Sequence, residues 1–139
     1  MKSIIKITHQ LNKRYSHLCQ EVMQKYKITH CELDILLFLY NNPECDTAKD
    51  IVEKRGIVKS HASMGIDKLI QKGYLKTIRD QQDKRKYHLH LLTESQPIIE
   101  DGLKIQERFY HQIFQNISDD EKQVLWHILE QIYQNAKEE

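Results

Sequence analysis

Residues 57–93 have the sequence IVKSHASMGIDKLIQKGYLKTIRDQQDKRKYHLHLLT, in which a helical pattern gives way to two strand patterns. Apolar residues at helical spacing from residue 59 to residue 72 predict an amphipathic helix, and Gly73 is a typical helix stop. The expected inward positions of this helix are Ala62, Ile66, Leu69 and Ile70. Residues 74–79 and 86–91 then alternate in character on either side of six polar residues, which predicts an antiparallel hairpin with a long tip.

Helical patterns also precede this stretch. Residues 2–26 carry the apolar stripe of a long amphipathic helix. Thr29 and Glu32 match a capping box, so a second and strongly apolar helix is expected to begin there and to form the centre of the core. A short third helix is predicted to start after Asp46 or Thr47 and to run through Ala48, Ile51 and Val52 to Gly56.

Two further helices are predicted after the hairpin. The first runs from residue 93 or 94 to about residue 116, and the second begins at a capping box formed by Ser118 and Glu121. The chain is thus expected to be mainly α with a two-stranded β wing, an α+β fold. Three helices followed by a hairpin is the order of a winged helix-turn-helix, whose last helix enters the major groove of DNA.

Charge is unevenly distributed along a chain whose net charge is only +1. Between Lys54 and His90 ten basic residues face three acidic ones, a net charge of +7, whereas the rest of the chain carries −6. One basic surface on an otherwise acidic protein is expected when that surface faces phosphates. Topology and charge therefore indicate the same residues as a nucleic-acid-binding surface.

Length and composition predict a single globular domain of 139 residues, 40% hydrophobic and 29% charged. We expect a cytoplasmic protein with no membrane partner, because no apolar run approaches ~18 residues and the first residues lack the apolar centre of a secretory signal. Cys19, Cys31 and Cys45 have no C-x-x-C spacing, so neither a disulfide framework nor a zinc finger is predicted.

Two other classes of function compete with DNA binding. An enzyme is not expected, because the sequence has no Gly-rich phosphate loop, no G-x-S-x-G and no H-E-x-x-H motif. A winged helix that serves only as a protein-interaction adaptor is the second alternative. A steep loss of affinity for duplex DNA between ~50 and ~200 mM salt would distinguish a DNA-binding protein from an adaptor.

Two motifs resemble those of MarR-family transcriptional regulators. Residues 57–63, IVKSHAS, leading into residues 67–75, DKLIQKGYL, are similar to the recognition helix of that family. Residues 79–85, RDQQDKR, followed by a strand and the L-T-E of residues 92–94, are similar to its D-x-R wing tip and helix start. The resemblance covers the whole chain and implies a homodimeric repressor or activator that reads a palindrome in double-stranded DNA without a cofactor. A repressor relieved by a small-molecule or oxidative signal is the favoured form.

The resemblance also divides the chain. Residues 29–92 would form the winged helix DNA-binding module, and residues 1–28 and 93–139 would form dimerisation helices. A partner chain would cover the long apolar stripes of the terminal helices, which otherwise expose contiguous apolar surface. The expected interface residues are Leu11, Phe109, Ile113, Ile117, Leu125, Ile128, Leu129 and Ile132. Packing of some of them within one chain is the alternative.

Six residues of the predicted recognition helix are expected to contact DNA. Contacts to phosphate, which position the helix, are expected from Lys59, Ser60, Ser63 and Lys68. His61 and Met64 are candidates to reach base edges. Since Met64 stands where many relatives have arginine, apolar contact with thymine methyl groups would replace a bidentate guanine contact. Gly65 inside the helix costs up to ~1 kcal/mol against alanine, so it indicates either close helix packing or a soft helix.

The wing has a separate set of expected contacts. Arg85 resembles the family arginine that enters the minor groove, and Asp83 resembles the acid that hydrogen-bonds and orients it. Arg79, Lys84 and Lys86 are expected to add phosphate contacts. For the two lysines, a plain solvated charge is the alternative.

Three kinds of signal are compatible with the resemblance. A small phenolic or lipophilic effector would bind between the dimerisation helices and the DNA-binding module, and the candidate linings, which could also be ordinary core, are Tyr15, Phe38, Tyr40, Phe109 and Tyr110. Cys19 near tyrosines of the first helix resembles redox-sensing relatives, but its neighbours include no group that would lower its pKa, so a structural cysteine is the alternative. His30, Cys31, Glu107 and His111 match a metal site only weakly, and none is predicted.

Overall fold

The computed structural model describes residues 3–137, so Lys2, at which the first predicted helix starts, lies outside the described residues. In chain order the elements are α1 Ile4–Tyr26, α2 His30–Asn41, α3 Ala48–Asp50 with a π-helical continuation Ile51–Arg55, α4 Lys59–Gln71, β1 Leu75–Arg79, β2 Tyr87–Leu91, a 3₁₀ turn Thr93–Ser95, α5 Gln96–Ile113 and α6 Asp119–Lys137. The predicted order of four helices, a hairpin and two helices is confirmed. The chain divides into two compact units, Met1–Phe109 and Tyr110–Glu139.

Helix α2 forms the centre of the core of the first unit, as its broad apolar pattern predicts. It packs against α1, α4 and β2. The buried apolar side chains of α2 are Leu33, Ile35, Leu36, Leu37, Phe38 and Leu39. Because these residues leave little of the helix in contact with water, burial of apolar area rather than helix propensity stabilises it.

The start of α2 has the predicted capping box and a buried carboxylate. Thr29 Oγ1 accepts from the N–H of Glu32 at 3.1 Å, and Glu32 Oε2 accepts from the N–H of Thr29 at 2.6 Å. Glu32 is only 1% exposed, and the Lys72 ammonium after α4 donates to its two oxygens at 3.0 and 3.2 Å. The same ammonium donates to the carbonyl of Lys27, which ends α1, at 2.9 Å. One cation thus ties the ends of α1 and α4 to the start of α2.

Local capping signals also set the other helix boundaries. Ser118 and Glu121 form the predicted capping box of α6, with hydrogen bonds of 2.9 and 3.2 Å. Thr47 and Asp50 form a further box at α3. Gly73 has φ +80°, a conformation that side chains disfavour, which explains why α4 stops before it.

Two details of the helix-turn-helix differ from the sequence prediction. Ile70 is 37% exposed rather than inward, because Ala62, Ile66 and Leu69 already complete the inner face of α4. The third helix is α-helical only over Ala48–Asp50 and continues as a π-helix over Ile51–Arg55. The spacing of apolar residues alone does not distinguish an α-helix from a π-helix.

Gly65 permits close packing between α4 and α2. Of the two explanations predicted for this glycine, close helix packing is therefore favoured over a soft helix. A Cβ built on Gly65 would lie 2.7 Å from Ile35 Cδ1 and 3.4 Å from Cys31 Sγ. Ile35 is fully buried, so its side chain has little room to retreat.

Gly65→Val is therefore expected to lower the free energy of unfolding by about 2 kcal/mol through overpacking. Urea unfolding of the variant measures this. Ser63→Val, on the exposed face of the same helix, is the matched control and should change stability by less than about 0.5 kcal/mol. Equal effects of the two substitutions would contradict the packing explanation.

Candidate nucleic-acid interface

The outer face of α4 presents the residues predicted to contact DNA. The inner face, with Ala62, Gly65, Ile66 and Leu69, is buried. All six predicted contact residues of this helix are exposed, namely Lys59, Ser60, His61, Ser63, Met64 and Lys68. Met64 is 63% exposed, so its side chain is accessible to a ligand on this face.

The first turn of α4 suits an anion. Val58 precedes the helix and makes no side-chain cap, so the N–H groups of the first turn are open to an external acceptor. Further along, His61, Met64 and Lys68 border one recess of about 470 Å³ between α4 and the start of α2. The structure thus brings two candidates for base contact beside a candidate for phosphate contact.

The hairpin projects the second group of basic residues. Strands β1 and β2 pair antiparallel, with Leu75 opposite Leu91 at the base and Arg79 opposite Tyr87 near the tip. Arg85 lies in the tip with its side chain 95% exposed. Asp83 Oδ1 accepts from the backbone N–H of Arg85 at 3.0 Å and lies 3.7 Å from its Nε. The predicted pairing of acid and arginine is therefore present, with the arginine free to reach a ligand.

The other basic residues of the wing have different surroundings. Arg79 Nε donates to the carbonyl of Lys84 at 2.8 Å, and its guanidinium lies 5.8 Å from the centre of the Tyr87 ring. Arg79 thus braces the tip in addition to carrying charge. Lys84 and Lys86 are exposed, as a phosphate contact requires.

A histidine at the tip end of β2 was missed by sequence reasoning. His88 Nδ1 lies 2.7 Å from Asp46 Oδ1, and its Nε2 lies 2.7 Å from Asp80 Oδ1. These hydrogen bonds, to Asp80 first and Asp46 second, raise the pKa of His88. The hydrogen bond from His88, together with the N–H groups of Asp83 and Gln82, lowers the pKa of Asp80 to about 2. At neutral pH the Asp80 carboxylate is consequently charged, which favours a protonated imidazole beside it.

Comparisons with known proteins show which proteins share this sequence pattern and fold. Residues 26–86 match the sequence model of the MarR family. The HTH-type transcriptional regulator BilQ of Clostridioides difficile (strain CD3) is 24% identical over 141 residues, which cover 99% of this chain and 95% of BilQ. In both comparisons the chain is similar to MarR-family transcriptional regulators. The resemblance seen in residues 57–94 is confirmed.

Solved MarR structures share the fold over nearly the whole chain. A MarR protein from Peptoclostridium difficile has a TM-score of 0.82 and 24% identity, covering 98% of this chain and 89% of its own. MepR of S. aureus, solved as a DNA complex, has a TM-score of 0.82 and 16% identity, covering 97% of both chains. The mainly α fold with a two-stranded wing is thereby confirmed.

The cysteine of α1 lies in an environment that suppresses its reactivity. Cys19 is fully buried in the core. Burial, with a contribution from the charge of Asp34, raises its pKa to about 11 against the lowering effect of a hydrogen bond with Tyr15. Since the thiolate is the reactive form, this environment argues against the redox alternative.

The five aromatic residues predicted to line an effector pocket have different surroundings. The rings of Tyr15 and Phe109 meet edge-on with centroids 5.2 Å apart. Phe38 is buried in the core of the first unit, whereas Tyr40 is exposed and borders a cavity of about 280 Å³. Tyr110 belongs to the second unit. Of these residues, Tyr40 is the one placed beside a cavity, and an effector site among them stays a prediction.

The residues considered for a metal site have other contacts. His30 Nε2 lies 3.4 Å from Asp34 Oδ1, and Cys31 Sγ lies 3.6 Å from the carbonyl oxygen of His61. Within residues 3–137, no group of three or more His, Cys, Asp or Glu side chains is placed to hold a metal ion. In the same described range, no helix is long and apolar enough to cross a membrane.

The predicted interface residues leave much apolar surface exposed. Helix α6 buries none of its residues, although it carries a continuous apolar face. The interface candidates that are exposed are Ile117, Ile128, Leu129 and Ile132. The half-buried candidates are Leu11, Phe109, Ile113 and Leu125. An exposed contiguous apolar face of this kind is typical of protein–protein interfaces, so the interface stays a prediction.

Proposed function

We propose that this protein is a MarR-family transcriptional regulator that binds a palindromic operator in double-stranded DNA as a homodimer, and that it is a repressor relieved by a small phenolic or lipophilic effector. The observation that carries the DNA-binding proposal is the placement of positive charge. The outer face of α4 and the wing tip carry Lys59, Lys68 and Arg85 exposed, while the opposite face of α4 is buried. The MepR–DNA complex, which shares the fold, supports it. Such a regulator would act in the cytoplasm.

Each subunit would insert α4 into the major groove and the wing arginine into the adjacent minor groove. A dimer then matches two half-sites ~34 to 36 Å apart. An effector weakens binding only if it favours a dimer geometry in which the two helices no longer match that spacing. We therefore propose release through a change in half-site spacing rather than through local blockage of α4.

Selection of bound fragments from random duplex DNA by the purified protein tests the function. A palindromic product is expected, with affinity that falls steeply between ~50 and ~200 mM salt. A thymine-rich half-site would support contact by Met64, whereas a guanine fixed at that position would contradict it. Absence of any selected sequence, together with salt-independent binding, would favour the adaptor alternative.

Arg85→Ala is expected to reduce operator affinity by roughly tenfold to a hundredfold, because one base-proximal arginine is worth about 1–3 kcal/mol. The side chain is 95% exposed, so folding should not change. Fluorescence anisotropy with the selected duplex measures the loss. Lys13→Ala on α1 removes one exposed positive charge outside the basic stretch and should leave affinity nearly unchanged. Equal losses in both variants would show that only total charge matters.

A further inference from the structure

We propose that His88, held between Asp46 and Asp80, is a positioning residue that fixes the wing arginine for DNA binding and makes that binding depend on pH. The proposal rests on the proposed DNA-binding function and adds a regulatory property to it. Its basis is an imidazole whose two nitrogens each lie 2.7 Å from a different carboxylate. Asp46 lies in the connection between α2 and α3, and Asp80 directly follows β1 in the wing.

The wing side of this arrangement reaches Arg85 through a short series of contacts. One oxygen of Asp80 binds His88, and its other oxygen accepts from the N–H groups of Gln82 and Asp83 at 3.0 and 2.8 Å. Asp83 in turn accepts from the N–H of Arg85 at 3.0 Å. The position of the Asp80 carboxylate therefore sets the path of the tip backbone up to the arginine.

The other side is anchored at the start of the helix-turn-helix. Asp46 directly precedes Thr47, whose side chain caps α3. The carbonyl of Asp46 also accepts from the N–H of Leu89 on β2 at 2.7 Å. Both the backbone and the side chain of Asp46 thus bind the wing, so His88 connects the tip to a fixed point beside α3.

Protonation decides how many of these bonds form. A protonated imidazole donates from both nitrogens, whereas a neutral one donates from only one and directs a lone pair at the remaining carboxylate. Because the carboxylates raise the pKa of His88 above its ordinary value near 6.5, both hydrogen bonds are fully formed below that value. One of them is lost as pH rises through the raised pKa, so the wing should loosen once the pH exceeds that pKa.

Other charged groups lie near His88, but the carboxylates of Asp46 and Asp80 remain its hydrogen-bond partners. Arg79 borders the same recess on the wing, and Lys76 of β1 pairs with His90, two residues along β2. These cations favour a neutral imidazole, in opposition to the two carboxylates. Opposite His88 on β1 lies Ile78, which is apolar. The carboxylates at 2.7 Å are therefore the groups that hold the proton.

The affinity of the dimer for the selected duplex, measured from about pH 6 to about pH 8.5 at constant ionic strength, tests the proposal. The wild-type affinity is expected to fall by roughly fivefold to tenfold across this range, and His88→Gln should remove that fall. His90→Gln, an exposed neighbour on the same strand, is the matched control and should keep it. His61 is an exposed histidine on the face of α4 expected to contact DNA, so the comparison is repeated in His61→Gln. A fall of equal size with and without His88 would overturn the proposal.

A measurement without DNA separates this proposal from the proposed function. Hydrogen exchange of the amides of residues 81–86 in the free dimer should accelerate as pH rises, beyond the intrinsic base-catalysed increase, in the wild type but not in His88→Gln. An NMR titration should show a lower His88 pKa in Asp46→Asn. If these results hold and DNA is not bound, the function fails while the positioning role stands. If DNA is bound and tip exchange is the same in both proteins, the positioning role is overturned.

Discussion

Replacement of Ile128 and Leu129 by glutamate is expected to convert the dimer into monomers and to reduce operator affinity at least about a hundredfold. The two side chains are 48% and 42% exposed on α6, a helix that buries none of its residues within the chain. A partner would bury them, and two carboxylates without counter-charges make that burial unfavourable. A monomer binds one half-site only, and loss of a linked second site costs ~10²- to 10⁴-fold in affinity.

Sedimentation equilibrium measures the change in mass, and anisotropy measures the loss of affinity. The matched control replaces Gln123 and His127 by glutamate, since both are exposed on the opposite side of α6. This control adds the same number of carboxylates and should remain dimeric. A dimer that persists in the variant with Ile128→Glu and Leu129→Glu, or a monomer with unchanged affinity, would contradict the proposed assembly.

Lys72→Ala is expected to lower the free energy of unfolding by about 3 kcal/mol, the largest effect on stability that we predict. The substitution leaves the Glu32 carboxylate buried without a cation, and removal of one partner of a buried pair costs about 3–5 kcal/mol. One-third of the lysine side chain is exposed to solvent, which weakens the pair and places the expected value at the low end.

Urea unfolding at fixed protein concentration measures the effect, because dimerisation contributes to apparent stability. Lys68→Ala, one turn earlier on the exposed face of α4, is the matched control and should change stability by less than about 0.5 kcal/mol. The double variant Glu32→Gln with Lys72→Met should regain at least half of the loss, because no charge is then left buried. A loss below about 0.5 kcal/mol in Lys72→Ala would contradict the role of the pair.

Features determined by neighbouring residues could be predicted from the sequence. The capping boxes at Thr29 and Ser118 need partners only three residues away, and the αL conformation at Gly73 reflects a backbone preference of a single residue. The alternation of the strands likewise predicts the hairpin of the wing. The pairing of Asp83 with Arg85 was implied by the resemblance of residues 79–85 to the wing tip of MarR-family regulators.

Features determined by distant residues could not be predicted. His88 meets Asp46 across 42 residues, and a strand pattern contains no sign of that contact. The environment of Cys19 depends on how α2 closes over α1, so its raised pKa was likewise not accessible. Ile70 matched the helical spacing of the core and yet faces outward, because the inner face of α4 was already complete.

The contact between Lys72 and the carbonyl of Lys27 has a consequence for how a signal travels. That carbonyl ends the first helix, and the ammonium that holds it ends the helix facing DNA. A rotation of α1 in a rearranged dimer would therefore also move the end of α4 while this hydrogen bond persists. That hydrogen bond would then add to the packing of α2 against both helices as a route by which a movement of one helix reaches the other.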